Sequence, residues 1–240
     1  MIIDDFVMLG RTEPQQTRNS GVTVCSAGYS PTLGQFIRVY PIAIHHHIPR
    51  WSVCRIEVER TSDARSESWS LRNGSIELLR TLSEREQQQL KTELFAQRSA
   101  SIRELNQQRR SLGVLAPTQL HGAWRSREQA ARDYVQLEMD IDTRTQQLYH
   151  PDETPTLHIL NEDHSRNTLQ LRDWGCVEFM RKYVQTGRHR KDELWDALHI
   201  HKPQLVFVGN MRHHPTSWLA ISIFSHALET QRRTTQTSFI

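Results

Sequence analysis

Asp63, Arg65 and Glu67 stand two residues apart, so in an extended segment their side chains share one side of the chain. An acid–base–acid row of this kind can hold itself together by charge pairing. It can also carry chemistry, because two carboxylates chelate a divalent cation and an arginine between them grips a phosphate. A second set lies upstream, where Phe36, Arg38 and Tyr40 alternate with Ile37 and Val39. As one face of a strand, an aromatic–arginine–aromatic series can stack bases at about 1–3 kcal/mol each and meet phosphates with its guanidinium. The same residues can equally be core, with Arg38 snorkelling outward. Arg50, Arg55 and Arg60 would extend such a basic surface along the next strand. A third set, Asn210, Arg212 and His214, sits in a short loop between two strongly apolar strands, a rigid support of the kind that presents contact residues, here to phosphate.

The thirteen histidines raise the question of a metal. His45-His46-His47 and His213-His214 are adjacent, which in extended chain sends neighbours to opposite sides. His199 and His201 lack the i,i+4 spacing by which a helix presents two imidazoles, and no CxxC or HExxH accompanies them. No metal site and no cofactor is expected, except a divalent cation if Asp63 and Glu67 act as a hydrolase pair. A Gly-rich phosphate loop, a dinucleotide fingerprint and a nucleophile elbow are all missing from the sequence.

These residues need elements to position them. Thr23–Gly28 and Gln35–Ile42, joined by a turn at Ser30-Pro31-Thr32-Leu33-Gly34, read as a β-hairpin. With Ser52–Arg60 they predict a β-meander over 22–61. Ser83-Glu-Arg-Glu86 and Ser101-Ile-Arg-Glu104 are capping boxes that open two helices, within a helical insertion over 76–112 that Gly113 would close. The sheet resumes over 133–225: Tyr134–Ile141 alternates cleanly, and Leu157–Leu160 with Thr168–Arg172 form a hairpin. Trp174, Val177, Met180 and Val184 recur at helical spacing behind Asp173 as N-cap, and Leu194–Leu198 adds a short helix. Leu205–Val208 and Trp218–Phe224 close the series as strands. The expected architecture is a single α+β domain over 1–225, a curved mainly antiparallel sheet or OB-like barrel with inserted and flanking helices, followed by a polar tail over 226–240.

Three scattered cysteines argue against a disulfide framework and for a reducing compartment, with Cys25 as inert packing in a strand. No stretch reaches the roughly 20 apolar residues of a membrane span, so a soluble, cytoplasmic protein is expected. The formal charge of +3 permits a polyanionic partner without requiring one. Only four of the thirty basic residues are lysines, and the arginine excess suits forked contacts to phosphate.

Val24-Cys-Ser-Ala-Gly28 followed by Phe36-Ile-Arg-Val-Tyr-Pro-Ile42, the Asp63–Ser68 run, Ser111-Leu-Gly-Val-Leu-Ala-Pro117, Leu171-Arg-Asp-Trp174, and Phe207-Val-Gly-Asn210 with His214-Pro and Trp218 resemble an uncharacterised family of bacterial and mobile-element proteins over most of the chain. The first 40 or so residues are also similar to the start of dual OB-type domains, nucleic-acid binders of DNA-modification and conflict systems. Some members of the first family carry a Cys/His cluster before the Asp-Trp pair. Here His158–His164 holds no cysteine, which sets this chain apart from a zinc site. Together the residues and the resemblance imply a nucleic-acid-binding accessory protein of a mobile-element or phage-conflict system, acting alone or with other proteins of that system. The alternatives are a metal-dependent hydrolase or nuclease using Asp63 and Glu67, and a protein–protein scaffold.

Overall fold

The computed structural model of the chain describes residues 1–13, 15–17, 21–43, 46, 48–126, 153–185, 193–212 and 214–225. Five strands close into a barrel: β1 (Ile2–Arg11), β3 (Gly21–Ser30), β4 (Gln35–Ala43), β5 (Ser52–Arg60) and β6 (Ser68–Thr81). A short β2 (Gln15–Thr17) pairs onto the β3 edge. The barrel order is β1-β5-β6-β4-β3, and pairing of β1 with β3 joins the ends. Four of its pairings are antiparallel, while β4 and β6 run parallel. This is an OB-like barrel.

Alternation decides what fills it. Ile37 and Val39 of β4 meet Phe6, Met8, Cys54, Ile56, Val58 and Trp69 in the interior, all buried. Gly28 is where the closing strands come together, because a Cβ there would lie 2.1 Å from the Val7 carbonyl oxygen and 2.7 Å from the Phe6 ring. Gly28→Ala is therefore expected to cost about 2–3 kcal/mol, as overpacking against backbone does. Urea denaturation checks it, and an unchanged midpoint would show that the closure tolerates a methyl group.

Beyond the barrel come α1 (Glu84–Ala96), α2 (Ile102–Gln107), β7 (Leu112–Leu115), β8 (Gln119–Ser126), β9 (Glu153–Leu160), β10 (Arg166–Gln170), α3 (Trp174–Gln185), α4 (Glu193–Ala197), β11 (Gln204–Asn210) and β12 (Trp218–Ser225). They form two three-stranded antiparallel sheets, β12-β11-β7 and β10-β9-β8. The first sheet is buried on both faces. One side of it packs on the outside of the barrel through Leu112, Val114, Leu205, Phe207 and Ile221, against Val7, Leu9, Tyr29 and Phe36. The other side, with Val206, Val208 and Ala220, joins Leu157, Ile159, Leu169 and Trp195.

The α+β barrel with added helices is as expected, and so are both hairpins and helices α3 and α4. The meander is not, since β5 pairs with β1 and β6 and leaves β4 to β3 and β6. The capping box at Ser83 forms in full. At the second helix Ser101 caps Glu104 N–H, but the Glu104 carboxylate accepts from Ala100 N–H. Arg109, at φ 55°, makes the turn after α2, while Gly113 lies within β7, packed against Leu105. Tyr134–Ile141 and the tail over 226–240 lie outside the described residues. Among the described residues, no helix is long and apolar enough to cross a membrane.

Candidate nucleic-acid interface

An OB barrel binds strands of nucleic acid on the outer face of its second and third strands and between the loops beside them. Here those strands are β3 and β4, and their outer face is covered by the chain itself. Phe36 is 1% exposed and stacks between Tyr29 and Phe207 at ring separations of 5.4 Å to each. Arg38 is 3% exposed. Its Nη2 donates to the Ser111 carbonyl at 2.8 Å and the Asn210 carbonyl at 3.3 Å, and Nη1 donates to Ser111 Oγ at 3.3 Å. Tyr40, further along β4, is half-buried. The period-2 pattern identifies the outward face correctly, but the β12-β11-β7 sheet lies on it. Phe36 and Arg38 thus offer no open stacking platform.

The acidic row sits at the edge of the same seam. It lies in the loop between β5 and β6, the fourth and fifth strands of the barrel. Asp63 accepts from Arg65 Nε at 3.0 Å and from Nη2 at 2.5 Å. Arg65 Nη1 donates to the Asn210 carbonyl at 2.9 Å. Glu67 accepts from Ser111 N–H and Ser111 Oγ–H, both at 2.9 Å. The row therefore pins the barrel to the second sheet by charge and hydrogen bonding, its structural reading. Its two carboxylates are turned to different partners.

Electrostatics follow from this pairing. Burial alone would raise the Asp63 carboxyl, but the hydrogen bonds and charge of Arg65, with Arg212 nearby, bring it down to about 2. Burial would also raise Glu67, and the hydrogen bonds from Ser111 and Ser66 outweigh it and lower it. Burial brings the Arg38 guanidinium down to about 10, still charged at neutral pH. Cys25, half-buried beside Arg38 and Arg65, has its thiol pushed up by burial, in keeping with inert packing. A carboxyl depressed in the folded state contributes stability above its unfolded pKa, and loses that contribution as the pH falls through its folded pKa. Asp63 should therefore add about 1–2 kcal/mol that is present above pH 4 and fades between about pH 4 and pH 2. Urea midpoints taken from pH 7 down to pH 3 should fall more steeply in the native protein than in Asp63→Asn. Parallel curves would remove Asp63 from the acid response.

Three loops meet here: 60–67, 108–111 and 210–217. Asn210 fastens the third, because its N–H donates to the Ser111 carbonyl at 2.9 Å and its Nδ2 to the Pro215 carbonyl at 3.0 Å. With 8% exposure, Asn210 is a structural pin and is poorly placed to meet a phosphate. Arg212 is exposed and reaches Ser62 Oγ at 3.4 Å; half-buried His214 turns the loop through its carbonyl. Arg60 donates to the Ser66 carbonyl at 2.6 Å and lies 3.9 Å from the centre of the Trp69 ring. Arg110 lies 5.3 Å over the Phe36 ring and closes that aromatic stack from outside. Exposed Arg109 adjoins it. Five arginines, Arg60, Arg65, Arg109, Arg110 and Arg212, thus rim the junction, and its two carboxylates are already engaged.

The structure brings together Arg38, Asp63, Arg65, Glu67, Asn210 and Arg212. It leaves Arg50 and Arg55 elsewhere. Arg50 pairs with Asp173 at 2.7 Å and donates to the Ile223 carbonyl at 2.9 Å, tying β12 to the start of α3. Arg55 pairs with Asp4 at 3.1 Å on the exposed outer wall. Sequence reasoning missed Arg109 and Arg110, although the Arg-Arg pair stands immediately before the Ser111-Leu-Gly motif. No group of three or more His, Cys, Asp or Glu side chains placed to hold a metal ion occurs among the described residues.

No curated protein and no solved structure matches the chain. Over residues 4–97, which run from within β1 through β6 and helix α1, the chain is similar to a family described as a domain of unknown function (DUF8758).

Proposed function

We propose that the protein binds single-stranded nucleic acid along the rim where loops 60–67, 108–111 and 210–217 meet. One observation carries this reading: the three loops that join at Ser111 and Asn210 carry five arginines, while the two carboxylates there are already engaged by Arg65 and Ser111, at the loop of an OB-like barrel that borders its usual binding face. Phosphate contact by Arg60, Arg109, Arg110 and Arg212 supplies affinity, and Arg65 and Arg38 act behind them by holding the loops in register. Stacking by Phe36 and Tyr40 has no part in this version. The resemblance in sequence extends the proposal to an accessory role in a mobile-element or phage-conflict system.

The test is fluorescence anisotropy with labelled single-stranded DNA and RNA across a salt series. Binding should weaken with a log–log slope of about −0.7 for each neutralised phosphate, hence roughly −2 to −3 if three or four arginines engage. Affinity that stays flat from low to high salt, or no binding at low salt, would dismiss the reading.

A further inference from the structure

Sheets β10-β9-β8 and β12-β11-β7 come edge to edge. Leu171 and Ala220 form a parallel bridge, and Arg172 N–H donates to the Ala220 carbonyl at 2.8 Å. Upstream of that bridge the two edges line a cavity of 280 Å³, bounded by Asn167–Gln170 on one side and Thr216–Trp218 on the other. Leu171 N–H donates to the Pro155 carbonyl, so the odd-numbered residues of β10 point their backbone at β9, and Thr168 points its N–H and C=O toward β12.

Apolar Ile102, Leu169 and Trp218 share the lining of this cavity with several hydroxyls, Gln170 and Arg125. Gln170 is 3% exposed, and among the described residues its buried Nε2 has no hydrogen-bond partner. Its orientation is fixed from behind, because Arg172 Nε donates to Gln170 Oε1 at 2.9 Å and Arg172 is itself paired with Glu13. With its oxygen committed, the Gln170 amide presents its NH₂ group to the cavity as a donor. Arg125 also lines the cavity, while no carboxylate among the described residues does. A buried donor without an acceptor costs about 1–3 kcal/mol, and native proteins keep few of them.

We propose that this cleft binds a small oxyanion, a phosphate or a carboxylate carried by a molecule of metabolite size. The amide N–H of Gln170 donates to its oxygens, and Arg125, on the same face of that sheet, supplies charge. The site is separate from the arginine rim, and its test does not depend on that reading.

Gln170→Glu keeps Oε1 for Arg172 and puts a negatively charged second acceptor of the same shape where the donor stood, and Gln170→Met removes the donor without adding charge and should lower the affinity in the same direction. Calorimetric titration with inorganic phosphate, uridine monophosphate and succinate should find at least one probe binding with a Kd below about 1 mM. The affinity should fall by roughly tenfold or more in Gln170→Glu and in Arg125→Gln, while both variants bind oligonucleotide as the native protein does. Uridine separates the sources, because binding as tight as that of its monophosphate would assign the cleft to the base and overturn the oxyanion. The proposal also falls if none of the three probes binds at about 10 mM, or if folded Gln170→Glu binds them unchanged. A well-folded Arg125→Gln that keeps full affinity would remove the charge from the account.

Discussion

Arg38→Ala is expected to destabilise the protein by about 3–5 kcal/mol, the range for leaving a buried charged network without one member. Three hydrogen bonds go with the guanidinium, and the Ser111 and Asn210 carbonyls lose the donor that joins them across the seam. Both carbonyls belong to segments that fasten the second sheet to the barrel, so the loss should be felt by both layers in one transition. Arg38→Met separates the charge from the volume: it refills most of the space but supplies no donor, and should recover only part of the loss. Urea denaturation of the three proteins measures this. If Arg38→Ala unfolded at the native midpoint, the guanidinium would not be holding the seam.

Burial of Arg38 also marks where sequence reading ends. Alternation along β4 sets Ile37 and Val39 against Phe36 and Arg38, and the barrel obeys it. What lies on the outward face is decided by Phe207 and Asn210, some 170 residues further on, and no local pattern reports so distant a partner. The same reason hides the strand order. The parallel contact of β4 with β6, and the closure of β1 onto β3, are long-range pairings that leave no trace in the turns between neighbours. The end of β6 is hard to read as a strand because Glu77-Leu78-Leu79-Arg80-Thr81 is exposed on every residue and so carries no period of two.

Some features are legible because their physics is local. The Ser83 capping box, the turn at Pro31–Gly34 and the β9–β10 and β11–β12 hairpins depend on residues within a few positions of one another. Motifs from scattered parts of the chain share one place: Phe36–Arg38, Asp63–Glu67, Ser111 and Asn210 meet in a single seam. Their residue types point to phosphate or metal chemistry, and their contacts show that they bind the protein to itself. The exposed arginines beside them carry the motifs' neighbourhood to the surface.

The second large effect concerns those arginines. A triple substitution, Arg109→Ser, Arg110→Ser and Arg212→Ser, removes charge from two of the three loops while leaving the Arg38–Ser111–Asn210 network in place. With two or three arginine–phosphate pairs removed, affinity for single-stranded nucleic acid should fall by roughly 100-fold or more at low salt, at about 1–2 kcal/mol per pair. Arg110 also shields Phe36, so urea midpoints must accompany the binding data, and a small loss of stability from that residue is expected.

The decisive comparison is the salt slope of the native protein against that of the triple variant on the same oligonucleotide. The rim account requires the slope to become shallower by about 1.5–2 units in the variant, at about 0.7 for each phosphate that is no longer neutralised. An unchanged slope in a folded variant would place the polyanion elsewhere on the molecule and contradict the assignment of the rim.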